Sequence, residues 1–391
     1  MATQYQQQKP LQIDGSYGEG GGQVLRTALS LSMLTGTPIR LRNIRAGRKK
    51  SGLMRQHLVC VQASQRISNA AVTGAQLGST ELTFTPQEIV AGEYHFDIGS
   101  AGSTNLVLQT LLPALLFAQS DKTNKANGTD TTATQASAST VSTVSIKGGT
   151  HNPLSPSSDF LQHAFVPMLA KLGMQVDIKL KQAGFVPVGG GEIHATITPF
   201  MRRAGMPTLQ LSQRGKLQSV QLVASNVNLD YDICKRELAS AKAKLAENVD
   251  ETLIYTKGNK LRGIGEGNTC YAVVTHEVLG DEMQSNNQPI SANVHHEVFA
   301  LLGEKRTSAE KMGNRLAGLV RRYLFKSDAL VDEYLTDQLL LPLALSGGGE
   351  FTARMISEHS QTQAWIIQQF LPVQIGFEQI STEKFLVKVM C

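Results

Sequence analysis

The chain has no long apolar run. None of its segments approaches the ~18 consecutive apolar residues that a membrane-spanning helix needs. The opening residues, MATQYQQQKPLQ, also lack the apolar core of a secretory signal. We therefore expect a soluble, cytoplasmic protein with no membrane partner.

Cysteine is scarce as well. Only four cysteines occur in 391 residues, far apart and without a CxxC pair: Cys60, Cys234, Cys270 and Cys391. This spacing is atypical of a disulfide framework or a zinc cage. We expect reduced thiols.

Several common catalytic motifs are missing. The chain contains no GxxxxGK[ST] loop and no GxGxxG turn after a strand. His295-His296-Glu297 lacks the spacing of the HExxH zinc motif, and no GxSxG elbow occurs. The sequence therefore gives no support to the P-loop, Rossmann, zinc-protease or serine-hydrolase classes.

The composition that remains is that of an ordinary globular protein, with 41% hydrophobic and 18% charged residues. The net charge of +5 permits a polyanionic partner without demanding one. A length of 391 residues indicates two domains, or one domain built from repeated units.

One local pattern recurs: a strand, a glycine-rich or basic turn, and a helix. We predict it at strand 11–14 with helix 24–36, strand 39–44 with helix 53–70, strand 94–98 with helix 104–118, and strand 144–147 with helix 157–173. The irregular spacing is unlike a solenoid of fixed period. The pattern predicts an α+β fold of βαβ-containing modules packed around shared helices.

Two segments interrupt the pattern. Residues 119–143 are rich in Thr, Ser and Ala with almost no large apolar side chains, which predicts a flexible surface loop. Residues 200–303 show a β-α-β-β order long enough for a small inserted α+β domain. We therefore predict a large domain from 1–199 and 304–391, and a charged helix near 305–325 that returns the chain to it.

Two turns carry candidate phosphate ligands. The first, Gly18-Glu-Gly-Gly-Gly-Gln23, places Glu19 in a glycine loop where it could hold a divalent metal against a phosphate. The second, at 45–57, concentrates five cations within eleven residues, and Arg26 adds another from the preceding helix. An exposed acid in a tight turn and a solvated basic face remain the alternatives for these residues.

The segment 332–372 combines a polar helix face with a lone histidine. Tyr334, Asp337 and Gln338 lie three and four residues apart, so they share a face of one predicted helix, which three glycines at 347–349 end. His359 follows in a polar loop before a second apolar helix. A neutral imidazole can attack phosphorus and form a phosphoramidate. A capped core helix followed by a surface histidine is the alternative that the residues leave open.

Seven separated motifs resemble those of RNA 3′-terminal phosphate cyclases, and they occur in the order of that family. They are IDGSYGEGGGQVLRTALSLSMLTG, IRAGRKKSGLMRQH, GSAGSTNLVLQTLLPALLFA, GGTHNP, FVPVGGGE, GEKRTSAE and DEYLTDQLLLPLALSGGGEF with EHSQT. The resemblance runs from about residue 11 to the end of the chain. It implies repeated modules, each a four-stranded sheet with two helices, similar to the enolpyruvyl transferase architecture, with one inserted α+β domain.

The same resemblance implies an activity and a site. These cyclases use ATP and a divalent metal (Mg²⁺ or Mn²⁺) to convert an RNA 3′-phosphate end to a 2′,3′-cyclic phosphate through a covalent histidine–AMP intermediate. His359 would be the nucleophile and Glu19 the metal-linked carboxylate. Arg26, Arg45, Arg48 and Gln56 would bind phosphates, Gln109, Tyr334, Asp337 and Gln338 would line the pocket, and Pro153 would flank the adenine. The implied partners are RNA and ATP, and a homodimer is compatible with the family.

One position departs from the expected motif, and three other functions are the alternatives to the resemblance. Thr362-Gln363 stands where we expect Thr-Asn after the family's histidine. A non-cyclase relative in ribosomal RNA maturation is disfavoured because His359 is present. An enolpyruvyl transferase would need no nucleophile, and a plain RNA-binding module is disfavoured because no aromatic-studded basic strand is visible.

Overall fold

The first sheet and its two helices define a repeating module. In the computed structural model, which describes residues 9–118, 141–202, 206, 208–279 and 294–391, this sheet has the order β1-β2-β4-β3. Strands β1 and β2 are parallel, and β4 is antiparallel to both β2 and β3. The strands are β1 (Leu11–Asp14), β2 (Ile39–Arg42), β3 (Ala71–Thr73) and β4 (Leu82–Thr85), and the helices are α1 (Gln23–Thr35) and α2 (Arg55–Ser68).

The second module repeats this topology in the order β5-β6-β8-β7. Every second residue of its two central strands is buried, as expected for one sheet face packed on helices. Its elements are β5 (Glu93–Asp97), α3 (Thr104–Leu116), β6 (Ser142–Gly148), α4 (Ser158–Phe160), a π-helical turn at 161–165, α5 (Val166–Lys171), β7 (Val176–Gln182) and β8 (Gly191–Ile197).

The third module is split by an insertion. It starts with β9 (Leu209–Leu211) and resumes only at α8 (Glu333–Ser346), followed by β14 (Gly349–Ala353), α9 (Glu358–Phe370), β15 (Gln374–Ser381) and β16 (Lys384–Met390). The order β9-β14-β16-β15 and the strand directions match the first two modules. The insertion therefore lies inside a module, between its first strand and first helix.

The inserted unit has its own sheet and core. Its sheet has the order β11-β10-β12-β13, and a separate apolar cluster from this sheet and its two helices lies between them. The elements are β10 (Gln213–Val227), α6 (Asp232–Ala246), a 3₁₀ turn at 251–253, β11 (Ile254–Lys260), β12 (Gly267–Leu279), β13 (Val294–Leu302) and α7 (Ala309–Lys326). The apolar face of α7 packs on α6 and on this sheet.

The predicted α+β fold of four-stranded sheets with paired helices is confirmed. The predicted domain boundaries at 200 and 303 stay a prediction. Because β9 pairs with β14 and α7 packs with α6, we propose that the inserted unit runs from Gln213 to Lys326. The predicted loop at 119–143 lies largely outside the described residues, and its last two residues, Ser142 and Thr143, belong to β6.

The four cysteines are free thiols, three of them buried. Among the helices of the described ranges, none is both long and apolar enough to cross a bilayer.

Candidate active site

The candidate site lies where helices of all three modules meet. Helix α1 packs against α3 and α9, and α8 packs against α9. Gln23 is the first residue of α1 and His359 the second residue of α9, so two helix N-termini face each other. The positive ends of helix dipoles favour an anionic ligand at such a junction.

His359 lies in the first turn of α9, which corrects the prediction that it occupies a loop. Ser357 is the N-cap, and its hydroxyl accepts a hydrogen bond from the Ser360 N–H at 3.2 Å. Serine and acidic residues stabilise the first turn of a helix, so the polar segment that resembled a loop is a helix start. The imidazole is 49% exposed and is held on a rigid element.

A glutamine fixes the tautomer of the His359 ring. Nδ1 of His359 lies 2.8 Å from Oε1 of Gln23. An amide oxygen only accepts hydrogen bonds, so Nδ1 must carry a proton. When the ring is neutral, its lone pair is therefore on Nε2, which is the arrangement a nucleophile needs.

The orientation of the Gln23 amide is itself determined by neighbours. Its Nε2 donates to the His359 carbonyl at 3.2 Å and to Oε1 of Gln363 at 3.1 Å. The Thr27 hydroxyl donates to the same Gln363 oxygen at 2.8 Å. These three polar side chains are buried. Gln363 is the departure noted in the sequence, and it forms part of the network that orients the histidine.

Glu19 stands on the other side of the ring. Its Oε2 is 3.3 Å from Nε2 of His359, and its Oε1 accepts a hydrogen bond from Arg48 at 2.7 Å. When His359 is protonated, Nε2–H faces this carboxylate. Loss of that proton uncovers the lone pair, since Gln23 retains the proton on Nδ1.

Close backbone packing brings the glycine loop to the basic turn. The Gly47 N–H donates to the Gly20 carbonyl at 3.2 Å. Gly20 has φ +57°, and a Cβ there would lie 2.7 Å from the Gly47 nitrogen, so no other residue fits without a shift. At Gly22 a Cβ would lie 2.4 Å from Nε2 of His57 and 2.8 Å from Nη1 of Arg26, so these two side chains would have to move to accommodate it.

Helices α3 and α8 supply the second wall. Gln109 donates to Gln338, and Gln338 donates to Oδ2 of Asp337 at 3.0 Å. Burial raises the pKa of Asp337 to about 7, although the Gln338 hydrogen bond and Arg26 act in the opposite direction. Tyr334 lies one turn earlier on the same helix face and is exposed. Hydrogen bonds therefore join Gln109, Gln338 and Asp337, and Tyr334 shares the helix face of the last two.

Arg26 and His57 lie beside Gly22 of the glycine loop, and only Arg26 is charged. Burial lowers the pKa of Arg26 from its usual high value, while Asp337 and Glu19 favour its charged form. Burial, then Arg26 and Arg45, lower the pKa of His57 to about 3, so this ring is neutral. His57 Nδ1 is buried and has no hydrogen-bond partner among the described residues.

Three predicted residues make structural contacts outside this cluster. Arg45 donates to the carbonyls of Lys50 and Gly52, at 2.7 and 3.0 Å, and so holds the basic turn together. Gln56 accepts from the Ser103 N–H at 2.7 Å, next to the start of α3. Pro153 is exposed in a turn whose Asn152 donates to the Ala101 carbonyl. Their roles in phosphate or adenine binding stay predictions.

The candidate site is compatible with a divalent metal that both a protein carboxylate and the phosphate oxygens of a substrate would bind. In the ranges that the structure covers, no three His, Cys, Asp or Glu side chains form a cluster for an all-protein site. Mg²⁺ is commonly bound by one or two carboxylates together with phosphate oxygens. The partly exposed Glu19 carboxylate beside Arg48 and His359 fits that mode.

Gln23 was not among the residues predicted to form the site. It ends the quoted glycine loop, and Thr27 lies one helical turn further on, so the i, i+4 spacing was available as a signal. Its partners, His359 and Gln363, lie 336 and 340 residues away, and no local pattern connects them.

Comparison with known proteins gives one consistent result. A family model described as RNA 3′-terminal phosphate cyclase matches residues 17–377. Proteins named RNA 3′-terminal phosphate cyclase from Ralstonia nicotianae and Koribacter versatilis are 42% and 41% identical, over 93% and 96% of this chain and 92% and 93% of their own lengths. A relative of the same name from Salmonella typhimurium is 40% identical over 96% of this chain and 98% of its own length.

Proposed function

Because the chain belongs to the RNA 3′-terminal phosphate cyclase family, we propose that it is an ATP-dependent, ligase-type enzyme that closes an RNA 3′-phosphate end into a 2′,3′-cyclic phosphate. The resemblance that the motifs indicated is confirmed at the level of the family. The chemical steps and the residue roles below are the proposal.

The first step is adenylation of His359. Its Nε2 lone pair attacks the α-phosphorus of ATP, the bond to the β-phosphate oxygen breaks, and pyrophosphate leaves. The contact that carries this proposal is the 2.8 Å hydrogen bond from Nδ1 to Gln23, which leaves the lone pair on Nε2. Arg26 and Arg48 stand beside Glu19 to offset phosphate charge.

Two displacements complete the reaction. An oxygen of the RNA 3′-phosphate attacks the adenylate phosphorus, the N–P bond to His359 breaks, and AMP is joined to the RNA end through a pyrophosphate bond. The vicinal 2′-OH then attacks the RNA phosphorus, loses its proton, and AMP leaves. The 2′-OH is already adjacent to the phosphorus, so positioning supplies much of the rate.

The nucleotide pocket is assigned to α3 and α8, where Gln109, Tyr334, Asp337 and Gln338 form one wall. Glu19 would hold Mg²⁺ or Mn²⁺, which supplies charge neutralisation on the phosphates. Arg45, Gln56 and Pro153 are placed around this pocket by the family resemblance alone.

Covalent labelling tests the proposal. Incubation with α-³²P-ATP and a divalent metal, without RNA, should give acid-labile, base-stable labelled protein. His359→Ala should lose the label entirely, because it lacks the attacking nitrogen. His95→Ala is the matched control, since His95 is an exposed histidine on β5, and it should label like the wild type. An unlabelled wild type, or a fully labelled His359→Ala variant, would rule the mechanism out.

A further inference from the structure

Two aromatic rings stack beside the candidate nucleophile, and the steps proposed above do not use them. Tyr17 and Trp365 have ring centroids 3.9 Å apart and planes inclined by 13°. Tyr17 lies in the turn that carries Glu19, and Trp365 lies on the helix that carries His359. The sequence showed no aromatic-studded strand, because this pair is assembled from opposite ends of the chain.

The stack has a buried base and a free face. Trp365, the only tryptophan of the chain, is half-buried and packs against the main apolar core. Tyr17 is 43% exposed although one face of its ring is covered by the indole. A flat aromatic face held parallel to a rigid second ring is a surface on which an unstacked nucleobase can lie.

The position of the stack suits the end of an RNA strand. Tyr17 is two residues from Glu19, a separation of at most about 7 Å along the chain. Trp365 lies six residues beyond His359, a rise of about 9 Å along α9. A base next to the reacting phosphate would therefore reach the Tyr17 ring.

Cations lie beside the same loop. The Gly20 N–H donates to the Tyr17 carbonyl at 3.4 Å, and Gly47 donates to Gly20. These contacts place the basic turn against the loop that carries Tyr17, and Arg48 of this turn donates to Glu19, two residues beyond Tyr17. Aromatic platforms flanked by cations are the usual means of binding single-stranded nucleic acid, because they contact bases and phosphates together.

We infer that Tyr17, supported by Trp365, is a stacking platform for one nucleobase at the single-stranded 3′ end of the RNA substrate. This inference rests on the proposed function. RNA is favoured over the adenine of ATP because Tyr17 packs on α9, whereas the assigned nucleotide wall is built from α3 and α8.

The first test is RNA affinity without catalysis. A 3′-phosphorylated oligoribonucleotide is titrated with the full-length protein in the absence of ATP. Tyr17→Ala should raise Kd by about 5- to 100-fold, the range expected for loss of one stacked base. Tyr17→Phe keeps the ring and should bind like the wild type. Tyr255→Ala is the matched control, since Tyr255 is exposed on β11 of the inserted unit and should have no effect. Unchanged binding by Tyr17→Ala would overturn the inference.

A second test identifies the group that stacks. Oligonucleotides with an abasic residue at the last or the next-to-last position are compared on wild type and Tyr17→Ala. At one of these positions, removal of the base should lower the RNA affinity of the wild type to that of Tyr17→Ala and leave the affinity of Tyr17→Ala unchanged. This non-additivity is expected when the base and the ring contact each other. Equal weakening of both proteins at both positions would contradict stacking on Tyr17.

Adenylation measured without RNA distinguishes a ring that stacks an RNA base from a ring that only holds the glycine loop in place. Tyr17→Ala should label with α-³²P-ATP as the wild type does. A loss of labelling equal to the loss of RNA affinity would mean that the ring only holds the glycine loop against α9, and would overturn the platform. If the wild type does not label, the proposed mechanism fails, whereas the RNA-binding tests still decide the role of Tyr17.

Discussion

Gln363 and the His359 carbonyl together determine which way the Gln23 amide faces, because both accept hydrogen bonds from its Nε2. Oε1 of Gln363 accepts from Thr27 and from Gln23 Nε2, so only Oε1 of Gln23 is directed at His359 Nδ1. A reversed amide would donate to Nδ1 and move the ring proton to Nε2, next to Glu19. Gln363 is therefore a positioning residue, although it does not contact the ring.

We expect Gln363→Leu to slow adenylation by about 10- to 100-fold, because part of the histidine would adopt the tautomer with Nε2 protonated. The KM for ATP should change little, since no ATP contact is removed. Single-turnover labelling over a range of ATP concentrations measures both quantities. Nitrogen NMR of labelled histidine reports the tautomer directly, and a purely structural role would leave it unchanged.

Thr27→Ser is the matched control for this prediction. It keeps the hydroxyl that donates to Gln363, whereas Thr27→Val removes it. The serine variant should react like the wild type and the valine variant like Gln363→Leu. Equal rates in the valine variant and the wild type would show that the network does not orient His359.

Individual residues were predictable where their chemistry is local. Glu19 in a glycine loop and the helix face shared by Asp337 and Gln338 are readable from spacing, and the structure brings Glu19 to His359 and Asp337 to Gln338. Gln23 and Gln363 were not predictable as a pair, because a buried hydrogen bond between helices of different modules leaves no periodic signal.

At the scale of elements, the glycine loop depends on its contact with the basic turn. Gly20→Ala should slow adenylation by at least about 10-fold, because the new Cβ would push the loop from Gly47 and displace Glu19 from Arg48 and His359. The left-handed backbone should also cost about 1–2 kcal/mol of stability. Labelling rate and urea unfolding measure the two effects separately.

Gly36→Ala is the control for backbone strain. Gly36 ends α1 with φ +69°, and a Cβ there meets nothing within 4 Å. It should lose similar stability and keep its labelling rate. If both variants lose activity in proportion to stability, the loop–turn contact has no specific role.

Element prediction succeeded where turns and apolar periodicity agree. The sequence placed α1, α3 and α8 to within a few residues, because glycines or a serine cap mark their ends. The last two antiparallel strands of a module, such as β15 and β16, were not predicted as strands. Their residues are partly exposed, so the alternation of apolar and polar residues along them is weak. The start of α9 was misplaced because its capping residues are also typical of loops.

At the scale of the whole molecule, the insertion inside the third module could be read only from strand pairing. Leu209 in β9 pairs in register with Gly349 in β14, with the inserted unit between them in sequence. Three residues of β9 are too few to reveal a parallel partner so far along the chain. The repeated modules and an insertion near 200–303 were predicted from the sequence, whereas the place of the insertion between the first strand and the first helix of the third module was not.

A buried polar network joins the inserted unit to the helix that carries Asp337. Oε2 of Glu297, on β13, accepts from the Asp332 N–H at 2.8 Å and lies 3.3 Å from Nε2 of His295, while Asp332 pairs with Arg354. Burial, and then the Asp332 carboxylate, raise the pKa of Glu297 well above its usual value, so the folded protein favours the protonated form. The stability that protonation contributes is full below the unfolded pKa of about 4.5 and is lost as pH rises through the folded pKa.

Glu297→Gln keeps an acceptor for Asp332 without the charge, so it should unfold with less pH dependence than the wild type and be more stable at pH 8 by about 1–3 kcal/mol. Glu297→Ala removes the acceptor and should be less stable than Glu297→Gln at every pH. Urea unfolding at pH 5 and pH 8 gives the free energy of unfolding of the wild type and both variants. If Glu297→Gln loses as much stability between pH 5 and pH 8 as the wild type does, the ionisation of Glu297 is not linked to folding.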